Sequence, residues 1–126
     1  EMSSRINSTW GGNLVDMVRA TKILETIKND SLCDNAAKQG DKWLTEMTQM
    51  AANFDMIDNV RGKGLIMAFD TPNVETRDKV LGAMFDNGMI GLSSGERTVR
   101  FRPHLAITND DVSRALEITE ASLKTL

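Results

Sequence analysis

The 126-residue sequence has one cysteine, one histidine, two prolines and no tyrosine. A single cysteine excludes an internal disulfide framework and a cysteine-rich zinc module. A single histidine, His104, with no serine or cysteine partner in its local sequence, gives no basis for a nucleophilic triad. No apolar run approaches the roughly 18 residues that a membrane span needs. No basic segment followed by an apolar core opens the chain, so no signal peptide is read and a cytoplasmic setting is expected. Basic charge is not in excess either: the net charge is -3, which argues against nucleic acid as the main partner. What remains, at 40% hydrophobic and 26% charged residues, is the composition of a globular domain and not of a disordered tail.

The patterns along the chain predict alternating helices and strands. Residues 1–12 read as a loop or arm ending in Asn7-Ser8-Thr9-Trp10-Gly11-Gly12. From Asn13, a helix cap with Asp16 three residues on, apolar residues recur at Leu14, Met17, Val18, Leu24 and Ile27, with Thr21 between them. Ser31, with Asp34 following, reads as the cap of a second helix whose stripe is Leu32, Ala36, Gly40, Trp43, Met47, Met50 and Phe54. Gly40 on that stripe suggests a close approach to the first helix. Met56 to Val60 is a weak strand, Arg61-Gly62-Lys63-Gly64 a turn, and Leu65 to Phe69 a central strand apolar on both faces. A helix over 74–87 follows, with Val74, Val80, Leu81, Met84 and Phe85 inward and Gly88 closing it. Met89 to Leu92 and Thr98 to Arg102 read as strands around a turn at 93–97. A last helix starts at 108–111 and carries Val112, Ala115, Leu116, Thr119, Leu123 and Leu126. Together these predict an α+β domain of two layers, a mostly antiparallel sheet covered by helices and packing as one unit.

Three segments are candidates for chemistry. Ser8-Thr9-Trp10-Gly11-Gly12-Asn13 opens a helix, where hydroxyls, glycine N–H groups and the helix dipole suit a phosphate or carboxylate; an ordinary capped helix start explains the same residues. In Thr98-Val99-Arg100-Phe101-Arg102-Pro103, strand alternation puts Arg100 and Arg102 on one face, where guanidiniums suit bidentate carboxylate recognition; a solvated strand face is the plain alternative. Arg61-Gly62-Lys63-Gly64 lacks the spacing of a phosphate-binding motif and reads as a turn. Cys33, in a first helical turn, reads as a buried thiol. The acidic residues show no metal-ligand spacing, so no metal is expected.

The same words in the same order, Ser8 to Asn13, Val60 to Leu65 and Val99 to Pro103, resemble the C-terminal part of the class III (subgroup II) aminotransferases, across essentially the whole chain. The run Arg5 to Arg19 and the word Arg100-Phe101-Arg102-Pro103 agree most with the branch acting on the ε-amino group of lysine. The branches for ornithine, acetylornithine and 4-aminobutyrate share the pattern with less agreement. The resemblance implies the small C-terminal domain of a fold-type I enzyme, with 1–12 as a cofactor-phosphate arm, 13–126 as the small domain and the large domain absent. It implies pyridoxal phosphate as cofactor, with Ser8 and Thr9 reaching the cofactor phosphate of the other subunit of a homodimer. It implies Arg100 as the ligand of a substrate carboxylate, that of lysine and then of 2-oxoglutarate, with Arg102 supporting and Arg61 to Gly64 structural. His104 stands where the family usually carries a second proline. The cofactor-bearing lysine lies, in the family, before the Ser8-Thr9 word. None of the seven lysines (Lys22, Lys28, Lys38, Lys42, Lys63, Lys79, Lys124) matches it. No catalytic residue is therefore assigned in this chain, which is expected to be inactive alone and to start inside a longer parent or to pair with a separate N-terminal portion. A non-enzymatic module that binds an anion through Arg100 and the Thr9 loop is the rival reading.

Overall fold

The computed structural model describes residues 9–126. The elements are α1 (Leu14–Asn29), α2 (Leu32–Ala51), β1 (Asp58–Lys63), β2 (Ile66–Asp70), α3 (Val74–Asp86), β3 (Leu92–Ser94), β4 (Thr98–Phe101) and α4 (Asn109–Lys124). The four strands form one antiparallel sheet in the order β1-β2-β4-β3. The expected α+β class with an antiparallel sheet and covering helices is what the chain adopts. It does not pack as one unit: it divides at Leu32 into Glu1–Leu32 and Cys33–Leu126.

In the first unit α1 is capped by Asn13, whose side chain accepts from the N–H groups of Val15 and Asp16. Asp16 does not complete a reciprocal cap, because its carboxylate is held by Arg19 at 2.6 Å. The helix expected from Asn13 onward is present, but its apolar stripe is not buried. Leu14, Met17, Val18 and Leu24 are exposed, and no residue of α1 is buried. Among the described residues α1 is the one element of its unit, and a lone helix has no second layer of its own to bury a stripe against.

The second unit holds the core. Met67 and Phe69 of β2 lie opposite Phe101 and Val99 of β4, and all four are buried. Trp43 of α2 stacks at a tilt on Phe101, with ring centroids 5.3 Å apart. Met47, Val80, Met84, Val112, Leu116 and Leu123 complete this helical layer. Removing any one of these large side chains would cost about 2–5 kcal/mol. The α4 stripe is as expected except at Leu126, which is exposed at the chain end. Thr108 and Asp111 start α4 with a reciprocal capping box, and hydrogen bonds from Thr108 hold the Asp111 carboxyl below its usual range.

Several local expectations are corrected. Ser31 takes a left-handed backbone (φ 50°) and so serves as a turn residue, not as the extended cap of α2. The close approach at Gly40 is to the β1–β2 turn: a Cβ there would lie 2.1 Å from the Gly64 carbonyl oxygen. Strand β1 runs on through Arg61 and Gly62 to Lys63, so the turn is only Gly64-Leu65, for which Gly64 supplies φ 53°. Val74 and Phe85 of α3 are exposed, because the helix packs through the i, i+4 pair Val80 and Met84 and Phe85 falls beyond that stripe. Strand β3 begins at Leu92, later than expected, because the exit from α3 consumes the preceding residues: Gly88 is left-handed (φ 86°) and Met89 N–H still bonds Met84 C=O at 2.9 Å.

The other face of the sheet carries polar residues, and one of them is buried. Asp70, 6% exposed, accepts from the Thr98 hydroxyl and from Asn59 Nδ2 at 2.7 Å, and pairs with Arg61 at 3.0 Å. Arg97 lies 3.8 Å away. Burial pushes the Asp70 carboxyl up, but hydrogen bonds from Thr98, Asn59 and Arg61, with the charge of Arg61, outweigh it and hold the pKa at about 2.

Two outcomes follow from this packing. Gly40→Ala gains helix propensity but drives a methyl into backbone, so it should lower the urea unfolding free energy by about 1–3 kcal/mol; an unchanged or raised value would contradict the contact. Asp70, ionised in the folded state well below its ordinary pKa of 3.8, adds stability above pH 4 that is lost as pH falls toward 2. The stability gap between wild type and Asp70→Asn should therefore shrink by about 1.5 kcal/mol between pH 5 and pH 2.5. A gap independent of pH in urea titrations would refute it.

Candidate functional site

Period-two alternation on β4 places Val99 and Phe101 in the core and Thr98 and Arg100 on the opposite face. The register builds a row across that face. Arg61 of β1 lies opposite Ala68 of β2, Ala68 opposite Arg100 of β4, and Arg100 opposite Leu92 of β3. One residue pair along, Asp70 lies opposite Thr98. Arg100 thus sits on an inner strand, with a methyl on one side and an apolar chain on the other.

The arginines of this face differ in what holds them. Arg61 donates to the Asn59 carbonyl at 2.9 Å and to Thr98 Oγ1 at 3.3 Å, besides its pair with Asp70. Arg97 donates to the Thr71 carbonyl at 2.8 Å and lies 3.5 Å from Asp58. Arg100 is half-buried, and among the described residues it has no carboxylate partner. Its Nε is buried with no hydrogen-bond partner. A buried donor left unsatisfied costs about 1–3 kcal/mol, more for a charged group, so an acceptor brought to Arg100 would relieve that cost. A carboxylate meets that need, since it accepts from the edge of a guanidinium in two parallel hydrogen bonds.

The second candidate lies in the first unit. Thr9 and Trp10 are exposed in a turn that runs to Gly12 (φ 83°). Asn13 N–H bonds the Trp10 carbonyl at 3.2 Å. The Asn13 side chain already takes the N–H groups of Val15 and Asp16, so an anion at this loop would be met by the Thr9 hydroxyl and the turn's own N–H groups. Ser8 lies outside the described residues.

Arg102 falls one residue past the end of β4 and is exposed, so it does not share a paired strand face with Arg100. His104 is an exposed loop residue. Cys33 is exposed and not buried as expected, because it lies off the Gly40-Trp43-Met47 stripe of α2. Arg61 to Lys63 pair with β2 in extended strand geometry, not in a loop that curls its N–H groups around an anion. No cluster of potential metal ligands exists among the described residues, and no helix is long and apolar enough to cross a membrane. Sequence reasoning missed Asp70, which lies one residue past the strand expected to end at Phe69. Extending the alternation of Met67 and Phe69 by one residue would have put Asp70 beside Ala68 on the arginine face.

Comparison with known proteins places these features. Residues 2–123 match the family model for aminotransferase class III. An L-lysine-epsilon aminotransferase of Amycolatopsis lactamdurans is 45% identical over 125 residues, 97% of this chain and 28% of that protein. One from Streptomyces clavuligerus is 41% identical, over 97% of this chain and 27% of that protein. The solved lysine aminotransferase of M. tuberculosis, in its internal aldimine form, superposes with a TM-score of 0.90 at 37% identity, over 98% of this chain and 29% of the solved chain. The chain therefore spans little more than a quarter of the length of these relatives. On the strength of the family match across nearly its whole length, it belongs to the class-III aminotransferases.

Proposed function

We propose that this chain is the C-terminal portion of a pyridoxal-phosphate ω-aminotransferase that moves the ε-amino group of L-lysine to 2-oxoglutarate. In this reading 13–126 is the small domain and 1–12 the arm that reaches a cofactor. The observation that carries the reading is Arg100 on the polar face of the sheet, half-buried and with no acceptor for its Nε among the described residues. Its edge takes the α-carboxylate of lysine, which holds the donor so that its far amino group projects away toward the reacting centre. In the second half-reaction the same edge takes a carboxylate of 2-oxoglutarate. A single guanidinium serves both acids because they occupy the site in turn.

When bound, the cofactor acts as the electron sink that amino transfer requires. Thr9, with Ser8 before it, would hold its phosphate, and a hydroxyl in a glycine-rich turn at a helix start fits such an anion. The arm serves the neighbouring subunit in a homodimer, and a cytoplasmic location goes with this reading. The lysine that bears the cofactor is supplied from outside these 126 residues.

Two outcomes test the proposal. Purified alone and given pyridoxal phosphate, the chain should develop no absorbance of a lysine-bound cofactor and transfer no amino group from lysine; turnover by the chain alone would overturn the assignment. In the full-length gene product, Arg100→Ala should raise KM for both lysine and 2-oxoglutarate by about 10–100-fold, the size of a lost charge-assisted pair, with Arg100→Lys intermediate. Lysine should be a better donor than ornithine, acetylornithine or 4-aminobutyrate. An unchanged KM for both acids would remove Arg100 from the site, and a preference for one of the other donors would reassign the substrate.

A further inference from the structure

Among the described residues, the polar face of the sheet and its rim hold three guanidiniums, Arg61 and Arg100 on the strands and Arg97 in the turn before β4, and a carboxylate ligand must choose among them. Arg61 and Arg100 flank the same residue, Ala68, on neighbouring strands. Two strand spacings put their backbones about 9–10 Å apart, and only a methyl stands between them. Arg97 lies at the edge of the same face. Unrestrained, Arg61 and Arg100 would converge over Ala68 and draw one carboxylate into a position shared by both.

We propose that Asp70 is a positioning residue for substrate recognition: by holding Arg61 and Arg97, it leaves Arg100 as the single guanidinium of the sheet face that receives the substrate carboxylate. This rests on the reading of Arg100 as the carboxylate ligand. Asp70 reaches Arg61 at 3.0 Å and Arg97 at 3.8 Å, and it is itself fixed by Thr98 and Asn59. Asn59 has a left-handed backbone (φ 49°) at the irregularity in β1 between Asp58 and Arg61, so the local bend of the strand aims its amide at the carboxylate. The Arg61 side chain is turned along the strand toward Asp70, Thr98 and the Asn59 carbonyl. Arg97 is held by Asp70, Asp58 and the Thr71 carbonyl. Arg100 lies two residues from Thr98 on the same face and receives none of these acceptors. Among the described residues, the one buried carboxylate therefore sorts three like charges into two that have acceptors and one, Arg100, that has none.

The test follows the arginine Nε–Hε resonances of the 126-residue chain in two-dimensional NMR during titration with sodium glutarate. In the wild type only the Arg100 resonance should move to saturation, while those of Arg61 and Arg97 stay within the spectral error. In Asp70→Asn, Arg61 should move together with Arg100, and the apparent Kd for glutarate should fall by up to roughly tenfold, the size of one added charge-assisted hydrogen bond. Adding Arg61→Gln to Asp70→Asn should restore the wild-type pattern. The wild-type titration alone decides the matter should the variants not fold: movement of Arg61 or Arg97 alongside Arg100 overturns the role of Asp70. Movement of Arg100 alone in both wild type and Asp70→Asn reduces Asp70 to a structural residue. An Arg100 resonance that does not respond at all overturns the reading of Arg100 itself.

Discussion

One buried carboxylate organises the polar face of this small sheet. Asp70 ends the central strand β2, yet its side chain is enclosed by Asn59 from β1, Thr98 from β4 and the guanidinium of Arg61. A buried anion without such partners would cost several kcal/mol and take up a proton instead. With them it stays ionised down to a pH of about 2. The apolar face is held by ordinary close packing of Trp43, Met67, Phe69, Val99 and Phe101. The polar face is held by this one charge, and the charges around it are arranged with respect to it.

Function in the account above rests on the contrast between satisfied and unsatisfied cations. Surface guanidiniums are easily placed in water and carry little information. A guanidinium whose Nε is buried without a partner does carry information, because folding has removed the water and provided no replacement. Arg100 has that character, while Arg61 and Arg97 beside it do not. Membership of the class-III aminotransferases gives the contrast a chemical meaning, since both acids proposed as substrates carry a carboxylate that Arg100 can grasp.

Much of this was legible in the sequence, and the failures have physical causes. The stripes of α2 and α4 and the alternation of Val99 and Phe101 were readable because burial imposes a period on apolar residues. Thr9 and Arg100 stood out through the words around them, and Arg100 lies where strand alternation places it. The stripe of α1 revealed the helix but not its exposure, because periodicity reports an amphipathic helix and not the layer that covers it. Gly40 was assigned the wrong neighbour because its contact, Gly64, is a backbone atom far along the chain. The boundaries of β1 and β3 moved because Gly62 is compatible with a ladder as well as a turn, and because the C-terminal cap of α3 consumes residues that look like strand. Asp70 was invisible as an organiser because its partners come from three strands, and register is not written in any one of them.

The central claim is that Arg100, and not its neighbours, grasps the substrate carboxylate. The most direct measurement is a crystal structure of the full-length gene product with pyridoxal phosphate and a bound dicarboxylate such as glutarate. The account predicts one carboxylate paired edge-on with Arg100, with Arg61 and Arg97 still on Asp70. A carboxylate bound by Arg61 or Arg97, or an Arg100 side chain that does not contact it, would contradict the account.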